Sequence, residues 1–303
     1  MAHLRLTDGG LETTLIFQQG LELPLFAAFP LVQDEVGRTT LAAYWQPFVE
    51  LARTHGVGFD VDTVTWRANP DWAEQLGYDE PAMQAVNEEA ARFAREIADD
   101  APDGRVTGVV GPRGDGYVSG EEMSTAEASA YHLPQVAALA AGEVDQVAAL
   151  TMTYPQEAVG VVLAARAVGL PVVVSFTVET DGRLPNGGDL RSAVEQVDRR
   201  TDGAAVGFMV NCAHPTHVEE ALFDGAEGAD DQWLGRLVGL RANASRMSHA
   251  ELDAAEELDA GDPDDLAHHY RALVDRLPSL RLLGGCCGTD LSHLRAIASA
   301  CLV

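Results

Sequence analysis

Three cysteines stand in two short motifs that could bind a metal ion. Cys212 lies in the motif that runs from Asn211 to Pro215, and the adjacent Cys286 and Cys287 lie in a glycine-framed run from Gly284 to Gly288. Three thiolates that meet in a pocket are soft ligands suited to tetrahedral Zn²⁺, with one position left open for substrate. The flanking glycines give adjacent ligands steric room and unusual backbone angles. We therefore predict that these three cysteines bind Zn²⁺ and are catalytic.

The fourth cysteine, Cys301, belongs to the predicted last helix, and we expect it to be an ordinary core residue. A lone Cys212 would also be interpreted as a buried hydrophobic residue, because free cysteine is commonly part of the core. Its place at the end of one strand, together with the cysteine pair at the end of another, favours the metal site instead.

The elements that must position these motifs are short apolar runs alternating eight times with longer amphipathic, alanine-rich stretches. The predicted strands are His3–Asp8, Gly58–Thr65, Arg105–Gly111, Gln146–Met152, Pro171–Thr177, Ala205–Asn211, Arg236–Arg241 and Leu280–Gly285. The predicted helices are Thr39–Thr54, Pro81–Ala98, Thr125–Ala140, Pro155–Ala167, Asp189–Arg199, Pro215–Leu222, Asp262–Arg276 and Leu291–Ala300. Eight such units in 303 residues predict an α/β fold, a single (β/α)8 TIM-type barrel in one domain, residues 1–303. An open α/β sheet is the alternative.

The barrel predicts where the chemistry lies. Active sites of this fold occupy the rim at the carboxyl ends of the strands. The two cysteine motifs close the sixth and eighth strands, which are next-but-one neighbours around a barrel. Their side chains can therefore converge on one point near the axis.

Composition excludes several partners and mechanisms. The chain has 47 acidic and 20 basic residues, a formal charge of −27, and it contains no lysine. Such a field repels phosphate backbones and anionic lipids, so we expect no nucleic acid and no membrane partner. Without lysine there is no Schiff-base or P-loop chemistry. We predict small-molecule partners; the sequence leaves open whether the protein is a homo-oligomer.

The N-terminal residues, Met1 to Thr7, do not combine a basic region with an apolar run, and the most hydrophobic stretch is interrupted by Arg166, Gly169 and Pro171. We therefore expect a cytoplasmic protein with reduced thiols.

Three segments resemble the motifs of the zinc-dependent homocysteine S-methyltransferase family in order and spacing over essentially the whole chain. They are Asp8 to Thr13, Asn211-Cys212 with Pro215, and Gly284 to Gly288. The resemblance implies a (β/α)8 barrel with Zn²⁺ held by Cys212, Cys286 and Cys287. It also implies substrate contacts from Asp8, Gly9, Gly10, Asn211 and Asn243.

The resemblance implies a thiol S-methyltransferase. A zinc-bound thiol loses its proton near neutral pH, and the thiolate attacks an activated methyl group. The donor must be cationic or a methylated cofactor, and the sequence shows no cobalamin-ligating motif and no additional domain. We expect a sulfonium, S-methylmethionine before S-adenosylmethionine, with betaine also open. The product is methionine or a related thioether in a methionine biosynthesis step.

The fourth strand departs from the family. Members that bind homocysteine end this strand with a Glu-Thr pair whose carboxylate holds the substrate ammonium, whereas Leu150 stands at the glutamate position here. Either Asp8, Asp62 or Glu179 binds the ammonium, or the acceptor is a different thiol.

Two other functions compete with methyl transfer. The first is a zinc-dependent barrel hydrolase or lyase, although such enzymes mostly use histidine and carboxylate ligands. The second is a non-catalytic zinc-binding or redox-sensing barrel in which Cys286 and Cys287 form a vicinal disulfide.

The remaining rim residues are expected to support the site. His214 follows Cys212 by two residues, but the open metal position is needed for substrate, so we predict a supporting role. His132 is expected to be a hydrogen-bonded packing residue. Three aromatic residues at strand ends are predicted to pack the barrel top or to wall the pocket: Trp66, Tyr154 and Phe176.

Overall fold

The fold is a closed barrel of eight parallel strands in sequence order, with the first strand hydrogen-bonded to the last. The computed structural model describes residues 4–223 and 231–302. The strands are β1 (Arg5–Leu6), β2 (Gly58–Asp62), β3 (Arg105–Val110), β4 (Gln146–Met152), β5 (Val172–Phe176), β6 (Gly207–Asn211), β7 (Leu237–Ala242) and β8 (Leu282–Gly285). The (β/α)8 prediction is confirmed, and the open sheet is excluded.

The strands are continuous apolar runs because both of their faces are covered. All seven residues of β4 and all five of β5 are buried. Strands buried between helices and a filled barrel interior lose the polar–apolar alternation of a half-exposed sheet. This is why the strand positions could be predicted from apolar runs alone.

The helices surround the barrel. They are α1 (Leu11–Thr13), α2 (Glu35–His55), α3 (Pro70–Gln75), α4 (Glu80–Asp99), α5 (Thr125–Ala141), α6 (Pro155–Ala167), α7 (Leu190–Thr201), α8 (Pro215–Phe223), α9 (His249–Asp253), α10 (Pro263–Arg276) and α11 (Leu291–Cys301). A capping box of Ser124 and Glu127 starts α5, and Asp262 followed by Pro263 starts α10. Among the described residues, no helix is both long enough and apolar enough to span a bilayer.

Several boundaries differ from the prediction. Helix α2 begins at Glu35 and not at Thr39, because the Asp34 carboxylate caps it by accepting from the Gly37 amide. Strand β1 has two residues where six were expected, and the predicted first residue, His3, lies outside the described residues. The sequence analysis missed the short helices Pro24–Phe26, Phe29–Gln33, Pro70–Gln75, Asp231–Arg236 and His249–Asp253. These segments are too short to show helical periodicity.

Candidate metal and substrate site

A cavity of about 400 Å³ opens at the carboxyl ends of the strands. Segments that follow β1 to β4 and β6 to β8 line it. Seven of the eight predicted site residues are among the lining residues: Asp8, Gly9, Gly10, Asn211, Cys212, Cys286 and Cys287. Asn243 lies just behind them and donates from Nδ2 to the Cys212 carbonyl oxygen at 3.1 Å.

The three predicted ligands converge. The Sγ atoms of Cys212, Cys286 and Cys287 all lie within 4.8 Å of one another. The structure joins Cys212 and Cys286 in a disulfide and leaves Cys287 free, so the vicinal disulfide of the competing interpretation is not formed. Three sulfurs at this spacing are a donor set that fits Zn²⁺ once the disulfide is reduced. Cys301 is a buried core residue of α11, as expected.

The backbone at Cys212 adopts an unusual conformation that its neighbours hold in place. Its φ is 54°, in the left-handed region that residues other than glycine rarely adopt. The Cys212 carbonyl accepts from Asn243 and makes a 2.8 Å hydrogen bond with Nε2 of His249, whose Nδ1 pairs with Glu179 at 2.8 Å. Such a conformation persists only where surrounding contacts fix it, and it is common at functional sites.

The glycines of the motifs bring two loops into direct contact. A Cβ on Gly10 would lie 2.5 Å from the Cys286 carbonyl oxygen, and one on Gly9 would lie 2.8 Å from that of Thr289. Gly288 has φ 79°. The absence of side chains therefore lets the loop after β1 pack against the loop that carries the cysteine pair.

Tyr117 is a site residue that the sequence analysis missed. Its hydroxyl donates to Sγ of Cys287 at 3.6 Å, and its ring stacks on His249 with centroids 3.9 Å apart. It belongs to the segment after β3. The many glycines of this segment, at the end of a strand, were the sequence signal that could have identified Tyr117 as a site residue. Burial raises the pKa of Cys287 to about 11, and the nearby Glu12 carboxylate acts in the same direction.

Arg241 ties two acids of the cavity together. Its Nη2 donates to Oδ1 of Asp8 at 2.6 Å, and its Nη1 pairs with Asp62. The other Asp8 oxygen accepts from the Trp45 indole at 3.2 Å. All partners except Asp62 are buried, so the two carboxylates are neutralised within the wall.

Asn211 joins the ends of three strands. Its Oδ1 accepts from the Thr151 amide at 2.9 Å and from Ser175 Oγ at 2.6 Å, while its Nδ2 donates to Thr151 Oγ1 at 2.8 Å. Thr151 has φ 60°. The amide side chain thus holds β4, β5 and β6 in register where the cavity begins.

Three further residues define the cavity chemically. Leu150 of β4 is buried in a small cluster with Val109 and Ala148, and it lines the cavity as expected. Glu12 and Arg67 also line the cavity, and neither was predicted. The adjacent Trp66-Arg67 pair after β2 was an available indication for Arg67; nothing in the sequence singled out Glu12.

The supporting residues mostly take the expected places. His132 is buried with Nε2 2.9 Å from Oε1 of Glu157. His214 is absent from the cavity lining and its Nδ1 bonds Thr216 Oγ1 at 2.9 Å; burial lowers its pKa to about 3. Of the three aromatic residues, Trp66 lines the cavity, whereas Tyr154 and Phe176 are buried packing residues.

Comparisons with known proteins give a consistent result. Residues 5–301 match the family model of homocysteine S-methyltransferase. The oxidized form of the homocysteine methyltransferase MmuM from Escherichia coli is similar, with a TM-score of 0.74, 22% identity, and 98% of this chain and 95% of that chain covered. Its metallated form gives a TM-score of 0.71 at 20% identity, covering 99% and 96%. No match is found among curated proteins.

Proposed function

The chain belongs to the homocysteine S-methyltransferase family, and from this premise we propose that it transfers a methyl group from a sulfonium donor to homocysteine with the help of Zn²⁺. It is thus an S-methyltransferase with small-molecule substrates. The observation that carries the proposal is the convergence of three sulfurs, from β6 and β8, within 4.8 Å in a cavity.

Cys212, Cys286 and Cys287 would hold the metal. Zn²⁺ bound there would lower the pKa of the acceptor thiol, so that it reacts as a thiolate near neutral pH. A free Cys212 and Cys286 are needed for this, and we therefore propose the cytoplasm, where thiols stay reduced, as the compartment.

The transfer itself is an in-line displacement. A lone pair of the acceptor sulfur forms a new C–S bond to the methyl carbon, while the bond between that carbon and the donor sulfur breaks. The bonding electrons go to the donor sulfur, which becomes a neutral thioether, and the proton of the acceptor thiol goes to solvent. With S-methylmethionine as donor, both products are methionine.

The cavity suits a cationic donor. Aromatic rings of Trp66 and Tyr117 line it, and its mouth carries the carboxylates of Asp115, Asp253 and Glu257. Ring faces and carboxylates both attract a sulfonium. We propose that Asp8 and Asn211 act on the substrate indirectly, by holding the cavity wall in place, since their polar atoms already bond Arg241 and Thr151. We propose that the backbone of Gly9 and Gly10, which lines the cavity beside the cysteine pair, contacts the acceptor.

A methyl-transfer assay tests the proposal. Reduced, zinc-loaded protein is incubated with homocysteine and a donor carrying a deuterated methyl group: S-methylmethionine, S-adenosylmethionine or betaine. We expect labelled methionine from the sulfoniums, with the highest kcat/KM for S-methylmethionine. Absence of labelled methionine with every donor would contradict the proposal.

The competing hydrolase interpretation gains no support from the site. In the part of the chain that the structure describes, the candidate metal cluster consists of three cysteines, without histidine or carboxylate. Three thiolates give so much negative charge to the metal that a bound water is a weak acid.

A further inference from the structure

The acids expected to receive a substrate ammonium already have arginine or histidine partners. Asp8 and Asp62 both pair with Arg241. Glu179 pairs with Nδ1 of His249 at 2.8 Å and is not among the cavity-lining residues. A substrate ammonium would have to displace a buried arginine or a histidine to use them, which costs several kcal/mol for a buried pair.

Glu12 is a carboxylate without such a partner. It is half-buried in the cavity wall, one turn after the glycines that pack on the cysteine loop. Among residues 4–223 and 231–302 its carboxylate has no ion-pair partner, and Arg241 and Arg67 act on it only through their charge. Glu12 lines the same cavity as Cys287, and Gly10, two residues before it, packs against the Cys286 carbonyl.

Arg67 is the complementary cation. Its side chain is 9% exposed, and its Nε is a buried donor with no hydrogen-bond partner among the described residues. The guanidinium packs over the rings of Trp66 at 4.2 Å and Trp72 at 3.7 Å, which fixes its plane. Nη1 donates to the Gly114 carbonyl oxygen at 3.2 Å, and Nη2 forms a long ion pair with the carboxylate of Asp115 at 3.9 Å.

We propose that Glu12 and Arg67 are the specificity-determining pair for the acceptor, with Glu12 binding its α-ammonium and Arg67 its α-carboxylate. This assignment rests on the proposed function, because it takes the acceptor to be an α-amino acid thiol. It explains how an uncharged Leu150 can stand at the position of the family's glutamate, because Glu12 would bind the ammonium in its place. Glu12 has no ion-pair partner among the described residues, and Arg67 has an unpaired buried Nε and only a 3.9 Å contact with Asp115. Two such opposite charges that face one cavity are matched by a zwitterion.

Methyl transfer to three thiols of equal chain length tests the pair. They are homocysteine, 4-mercaptobutyrate, which lacks the ammonium, and 3-aminopropanethiol, which lacks the carboxylate. In Glu12→Gln we expect kcat/KM to fall about 10- to 100-fold for homocysteine and 3-aminopropanethiol and to stay unchanged for 4-mercaptobutyrate. Arg67→Met should show the reverse, a similar fall for homocysteine and 4-mercaptobutyrate only.

Binding of methionine to the metal-free protein, measured by calorimetry, is a readout that does not require turnover. Methionine has the same ammonium and carboxylate as homocysteine. We expect both variants to weaken its Kd at least about tenfold. Arg67→Lys keeps a charge between the tryptophans and should recover part of the affinity, whereas loss of packing alone would not be repaired by lysine.

Glu256→Gln is the matched control, since Glu256 is an exposed acid that is not among the cavity-lining residues and should leave methionine affinity unchanged. Equal losses for all three thiols with an unchanged methionine Kd would overturn the pair, and so would wild-type affinity in both variants. If no thiol is methylated but methionine binding depends on Glu12 and Arg67, the proposed function fails and the recognition pair stands.

Discussion

Cys286 links the two halves of the proposed metal site, because it contacts Cys212 and is adjacent to Cys287. We expect reduced, reconstituted protein to hold one zinc ion per chain, and Cys286→Ser to lose most of the zinc and all methyl transfer while the barrel stays folded. A catalytic metal is not needed to hold a core of this size together. Zinc is measured by mass spectrometry and folding by circular dichroism.

Cys301→Ser is the control for this experiment, since Cys301 is a buried cysteine outside the cluster. It should keep its zinc and its activity. Full zinc occupancy and turnover in Cys286→Ser would rule out the three-cysteine site.

Glu12 makes stability depend on pH. Burial, helped by the charge of Asp8 and opposed by Arg241 and Arg67, raises the pKa of Glu12 to about 7 from 4.5. The folded protein binds the proton of the Glu12 carboxyl group more tightly than the unfolded chain does. This group therefore contributes least to the free energy of unfolding above pH 7. Its stabilisation is complete below pH 4.5 and disappears as the pH rises through 7.

Glu12→Gln should therefore raise the Tm at pH 8.5, and it should raise the Tm less at pH 5.5. Both pH values are above the pI of about 4.4. Thermal unfolding of the metal-free protein at both pH values measures this difference. The exposed Glu257→Gln is expected to show the same small change at both. A Glu12→Gln effect that is independent of pH would contradict the assignment of the raised pKa.

At the level of elements, Gly10 decides how closely the loop after β1 approaches the loop after β8. Gly10→Ala places a Cβ 2.5 Å from the Cys286 carbonyl oxygen, so one backbone has to move. We expect a loss of about 1 to 3 kcal/mol in the free energy of unfolding and a lower zinc affinity. Gly235→Ala, with nothing within 4 Å of the added atom, is the control, and denaturant titrations with zinc measurements check both. Unchanged zinc affinity in Gly10→Ala would show that the contact does not position the ligands.

The sequence predicts the strands and helices better than it predicts which side chains contact one another between the segments that connect them. Buried parallel strands are continuous apolar runs, and cysteines at the ends of β6 and β8 had to meet once the barrel was inferred. Glu12, Arg67 and Tyr117 belong to segments that follow three different strands, and no periodicity relates them. Arg241 likewise neutralises Asp8 through a contact 233 residues apart, which spacing does not reveal.

At the scale of the whole molecule, the formal charge of −27 should act differently on the two proposed substrates. S-methylmethionine has a net positive charge and homocysteine has none at neutral pH. Attraction of the donor is screened by salt, since the Debye length falls from about 30 Å at 0.01 M to about 10 Å at 0.1 M. We expect the KM of the donor to rise several-fold from 20 mM to 500 mM potassium chloride, while the KM of homocysteine changes little. A donor KM that does not respond to salt would show that the field plays no part in capture.

The closure of the barrel between β1 and β8 sets an order of events during synthesis. The ribosome makes the first strand at residues 5–6, yet its partner on one side, β8, ends only at residue 285. Until then the nascent chain carries one of the three proposed metal ligands, Cys212, and its first strand has an open edge. The proposed zinc capture and the final closing of the sheet thus belong to the same late moment, when β8 and the cysteine pair after it emerge.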